Sequence, residues 1–90
     1  MNNSVQVTED FRIARVLPSG TRLFYAGYPV WVPGPAASIV VYATHAEART
    51  KLVSLAYGGW TNLQVVYTRR TVTEEETVVS ELLSGKALKG

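Results

Sequence analysis

One stretch of this chain is marked at both ends. Thr44-His45-Ala46-Glu47 has the capping-box pattern, in which a threonine hydroxyl and a glutamate carboxylate each take up an amide that the first helical turn leaves without a partner. Gly58-Gly59 stands where a helix closes on a left-handed residue. Between them Ala48, Leu52, Leu55 and Ala56 recur on one face, with Glu47, Arg49, Thr50 and Ser54 largely elsewhere. The spacing predicts a helix over 45–57, and the rest of the chain is arranged around it.

On both sides of that helix the pattern changes to a period of two. Phe11, Ile13 and Leu17 alternate with Arg12, Ala14 and Val16, which reads as a strand. Pro18-Ser19-Gly20 supplies a tight turn, and residues 21–25 are again rich in strand formers, so residues 11–26 are expected to form a hairpin. Val30-Trp31-Val32 sits between prolines, which suits a short edge strand. The β-branched run 38–42 reads as a buried strand. After the helix, Leu63, Val65 and Tyr67 alternate with Gln64, Val66 and Thr68 to give a closing strand. A crossover through the helix would place the strands at 38–42 and 63–68 parallel, with right-handed connection.

A second capping box, Thr73-Glu74-Glu75-Glu76, predicts a C-terminal helix over 74–84 that Gly85 stops. Its apolar stripe would be Val78, Val79, Leu82 and Leu83. The expected class is therefore α+β: a small, mostly antiparallel sheet of four to five strands with one packed helix at 45–57 and the C-terminal helix. The expected division is a flexible N-terminal segment over 1–10, an α+β domain over 11–73, and a helix and tail over 74–90.

At 90 residues the chain supports one core. With no cysteine, disulfides and thiolate metal sites are excluded, and a reducing compartment is suited. The first ten residues lack the basic and apolar regions of a secretory signal, and the apolar stretch 36–43 is far short of the ~20 residues of a membrane helix. The expected location is the cytoplasm. Residues 1–73 carry seven basic side chains against three acidic ones, whereas residues 74–90 carry four acidic against two basic. A moderately basic body thus precedes an acidic end.

His45 is the only histidine. Its neighbours Thr44 and Glu47 are accounted for by capping, so it reads as a solvated residue at a helix start rather than a general base. One histidine without cysteine does not make a metal site, and Gly58-Gly59 leaves a helix instead of leading into one, unlike a phosphate loop. No cofactor and no catalysis are expected. Arg12 and Arg22 on the hairpin and Arg69 and Arg70 at the end of the last strand are candidates for nucleic-acid contact, with Tyr25, Tyr67 or Trp60 as stacking platforms. The plain alternative is a solvated face. Trp31 is a candidate protein-binding anchor, since tryptophan buries a large area at low entropy cost; the alternative is a cover for one end of the core. The stripe of Val78, Val79, Leu82 and Leu83 must bury either on its own sheet or on another chain, a homodimer partner among the options.

Arg15-Val16-Leu17-Pro18-Ser19-Gly20-Thr21, a second strand with a tryptophan nearby, the Thr44-x-x-Glu47-Ala48 helix start and Leu63-Gln64-Val65-Val66 together resemble a type of small accessory protein from tailed phages, especially actinobacterial ones. The resemblance covers roughly residues 11–68 and carries no functional residue over. It implies a phage accessory protein of a kind that often binds and disables a host protein, either toxic to the host or directed against its defences. The expected function is protein–protein interaction with a host or phage partner. The alternative is a nucleic-acid-binding module using a basic sheet surface.

Overall fold

In the computed structural model, which describes residues 7–71, 74–82 and 88–89, the elements follow in the order β1 (Thr8–Val16), β2 (Arg22–Tyr25), β3 (Trp31–Pro33), α1 (His45–Tyr57), β4 (Leu63–Arg70), β5 (Glu74–Leu82) and β6 (Leu88–Lys89). The strands form one antiparallel sheet in the order β3-β2-β1-β4-β5-β6. The class is α+β with a single helix among the described residues. β1 and β4 share eight register pairs, from Thr8 opposite Arg70 to Arg15 opposite Leu63, and occupy the centre. Of the expected N-terminal segment, residues 1–6 lie outside the described residues, whereas Thr8 to Asp10 already belong to β1.

Strand alternation assigns each side chain to a face. Toward the helix stand Phe11, Ile13 and Arg15 of β1, Tyr25 of β2, Trp31 of β3, and Leu63, Val65 and Tyr67 of β4. α1 lies on this face with Ala48, Leu52 and Leu55 buried against Ile13, Tyr25, Leu63 and Val65. Its predicted bounds hold, and Thr44 Oγ1 accepts from the Glu47 amide at 3.2 Å. The opposite face buries Ala14, Phe24 and Val66 under the segment that follows β3, where Ile39 fills the second cluster. Gly34 lets that segment cross the Phe24 ring, because a Cβ there would lie 2.8 Å from it.

Three expectations are corrected. Residues 74–82 are not a helix but a nine-residue strand, paired with β4 from Arg70–Glu74 to Leu63–Leu82. β4 carries fully buried side chains toward both faces, so its second edge needs a partner strand, and that pairing outweighs the helical preference of three glutamates. The β-branched residues Thr77, Val78 and Val79 favour the extended form. Second, 38–42 is not a strand. Tyr42 alone bridges Phe11, by reciprocal backbone bonds of 2.9 and 2.8 Å, on the edge of β1 that the short β2 leaves unpaired. Ile39 turns to one face while Val40 and Tyr42 pack on the other. Third, no parallel pair occurs among the described strands, because β4 lies against β1 instead of a strand at 38–42.

The β4–β5 ladder contains one irregularity. Val65 pairs with Ser80 and Val66 with Val78, so Val79 is an extra residue on β5, a β-bulge. It lets two consecutive residues turn to the helix side: Val79 packs against that core and Ser80 meets His45, while Val78 sits with Val66 on the other face and is exposed.

Candidate functional site

The end of the sheet near β3 gathers Tyr25, Tyr28 and both tryptophans of the chain. Register sets Tyr25 directly opposite Trp31, with the rings edge-on at 5.5 Å. After α1 the chain reverses through Gly58-Gly59, where Gly59 has φ +101°, and the Trp60 amide donates to the Leu55 carbonyl. This turn delivers Trp60 edge-on to Trp31 at 5.3 Å. The Arg15 guanidinium lies 4.8 Å from the Trp60 ring centre, and Lys51 Nζ lies 5.6 Å from that of Tyr25. Such contacts are worth roughly 0.5–1 kcal/mol each at exposed sites, and they occupy ring faces with cations.

Two tyrosines present aromatic surface to solvent, one of them bonded to this ladder. The Tyr28 amide donates to Tyr25 Oη at 2.9 Å, and the loop closes with Val30 N to the Gly27 carbonyl and Ala26 N to the Val30 carbonyl. Tyr28 is thereby held 72% exposed, with Val30 two residues on at 49%. Tyr57, the last helical residue, is 90% exposed. Trp31, singled out from the sequence, lies half-buried at the junction, and its Nε1 has no hydrogen-bond partner.

The other stripe proposed for interaction is dispersed by the strand geometry: Val78 is exposed on the far face, Val79 packs on the core, and Leu82 ends β5 opposite Leu63. Leu83 lies outside the described residues. The four arginines are divided as well. Arg12, Arg22 and Arg70 belong to the face opposite the helix, whereas Arg69 shares the helix side with Glu9 and Glu75 as register neighbours. Arg12 Nε bonds Asp10 at 2.8 Å, and Arg22 reaches Glu76 at 3.1 Å. The hydrogen bond to Asp10 holds the Arg12 guanidinium above its ordinary value against the opposing effect of burial. Tyr25, Tyr67 and Trp60 are on the helix side, so the structure sets Arg12, Arg22 and Arg70 on the face opposite their expected stacking platforms and leaves only Arg69 on the same face, and Tyr25 is only 5% exposed. An open groove of about 500 Å³ is lined by Arg12, Arg70 and Glu74 together with Ala36, Ile39 and Val41.

One pair escaped the sequence reading. His45 Nε2 lies 2.6 Å from Ser80 Oγ, and Phe11 stacks on the imidazole with ring centres 5.8 Å apart. No local signal connects residues 35 apart once 80 is placed on a helix. A hydroxyl against an imidazole is the contact of a nucleophile and its base, yet Ser80 is 2% exposed and no described carboxylate bonds the other ring nitrogen. With its hydroxyl enclosed by the core, this pair ties the start of α1 to β5. Among the described residues no three His, Cys, Asp or Glu side chains are placed to share a metal ion, and no helix is long and apolar enough to cross a membrane.

Comparison of the chain with protein-family models, with curated proteins and with solved structures finds no match.

Proposed function

We propose that this chain is a protein-interaction module of the phage-accessory type, acting by binding rather than by catalysis, in the cytoplasm of a bacterial host. The observation that carries the reading is the Tyr25–Trp31–Trp60 ladder with exposed Tyr28 bonded to it through Tyr25, and with a second exposed tyrosine, Tyr57, three residues before Trp60 in sequence. Rigid aromatic side chains with an arginine and a lysine among them have the composition of binding hot spots, where large area is buried without loss of many rotamers. The partner is a host or phage protein, and disabling a host protein would make expression toxic.

The test is to capture binding proteins from an actinobacterial lysate with the tagged parent and with Tyr28→Ser/Tyr57→Ser. Both positions are solvent-exposed, so the variant should keep the parent's melting curve while losing its partner and any growth arrest on expression. Capture of the same proteins by both chains would remove the site from this surface. A gel shift of DNA or RNA by the parent, falling steeply with salt, would transfer the reading to nucleic acid; none is expected, because Arg12, Arg22 and Arg70 lie on the face opposite Tyr25, Tyr67 and Trp60.

A further inference from the structure

We infer that the outer edge of β5 receives an extended, lysine- or arginine-bearing segment of another protein as an additional antiparallel strand. β6 pairs only with Glu81 and Leu82, and no described residue pairs with the outer edge of Glu74 to Ser80. Every second residue of such an edge directs its N–H and C=O outward, which supplies main-chain affinity for an incoming strand. Glu74, Glu75, Glu76, Thr77 and Val78 are all exposed. Glu76 is engaged by Arg22, whereas Glu74 and Glu75 form no ion pair with any described residue.

The occupant follows from charge and register. β6, the strand this edge already holds, runs antiparallel and places Lys89 opposite Glu81. A segment continuing in line with it would meet Glu76 and Glu74 on one face and Glu75 on the other, so basic residues at either alternation find carboxylates. A second copy of β5 is disfavoured. Two-fold pairing centred on Glu75 sets Glu74 opposite Glu76, and centring on Glu76 stacks that glutamate on itself. Centring on Thr77 avoids like charges but runs into the bulge at Val79. Charge and bulge guard the edge against self-association while leaving it open to a strand of opposite sign.

The probe is a fluorescein-labelled peptide of alternating lysine and valine, about nine residues long, compared with a glutamate/valine peptide and a lysine/proline peptide that cannot pair. The intact parent should bind the lysine/valine peptide in a salt-sensitive manner, with slowed amide exchange within Glu74 to Val78. Glu74→Gln/Glu75→Gln, with an unchanged melting curve, should bind about tenfold more weakly, as expected for removing two charge contacts at a rim. The inference is overturned if the lysine/proline peptide binds as tightly, since charge alone then suffices, or if the parent binds neither peptide. Undiminished binding by the double variant overturns it too. So does a parent that scatters light as a dimer with those amides already protected, because a second copy then holds the edge.

Discussion

Leu52 has no exposed surface and stands where α1 meets the sheet, among Ile13, Leu63 and Val65. Leu52→Ala should therefore lower stability in urea by about 2–5 kcal/mol, since the cavity cannot collapse between two rigid elements. Thr44→Ala, which removes one capping bond at the exposed helix start, should cost only about 1 kcal/mol. Equal losses would mean that the helix is held by its end rather than its face. Two tyrosines respond to pH. Burial raises the Tyr42 phenol above its ordinary value, with Tyr25 adding to it, and a hydrogen bond to Glu9 raises that of Tyr67. Both lose a proton more readily when unfolded, with pKa about 10. Their contribution is complete below that pH and is lost as pH rises through the folded values. Between about pH 9 and about pH 11 the urea midpoint of the parent should fall further than that of Tyr42→Phe/Tyr67→Phe. Parallel declines would dissociate these phenols from alkaline unfolding.

At the scale of elements, α1 was legible because its start, stripe and stop are all local: Thr44 and Glu47, then Ala48, Leu52 and Leu55, then Gly58. The first hairpin and the β3 edge were legible for the same reason. β5 was not, and its bulge explains why. A regular strand would send Val79 and Ser80 to opposite layers, whereas here both turn to the helix side, so the extra residue erases the period of two and leaves valines and leucines spaced as on a helix. Trp31 could be picked out as an anchor, but its meeting with Trp60 depends on the turn after α1, and the His45–Ser80 contact on β5 being a strand. Because the chain has no cysteine, the register is directly testable. Arg69 and Glu75 are opposite each other on one face, within disulfide range for an antiparallel pair. Arg69→Cys/Glu75→Cys should oxidise to an intramolecular bridge, and Arg69→Cys/Glu76→Cys, whose side chains leave opposite faces, should not. The reverse result would place 74–82 in another register or another conformation.

For the whole molecule, the decisive feature is that the middle of the sheet joins distant parts of the chain. β1 lies between β2, its neighbour in sequence, and β4, which ends opposite Thr8 at Arg70. Such non-local pairing places folding in the millisecond-to-second range rather than the microseconds of helical bundles. On a ribosome the order of synthesis adds a longer interval. At about 5–20 residues per second, the roughly fifty residues between Phe11 and Leu63 take about 3–10 s to appear. Throughout that time the hairpin of β1 and β2 exists with its second border bare and Ile13 uncovered. A fragment ending at Gly59 reproduces this nascent stage, and it should be insoluble or chaperone-bound on expression; a soluble fragment with a cooperative melt would show that the hairpin and helix stand alone. What is the best-protected strand of the finished protein is thus its most vulnerable one while being made, and a nascent chain stalled before Leu63 offers other chains an unfinished sheet.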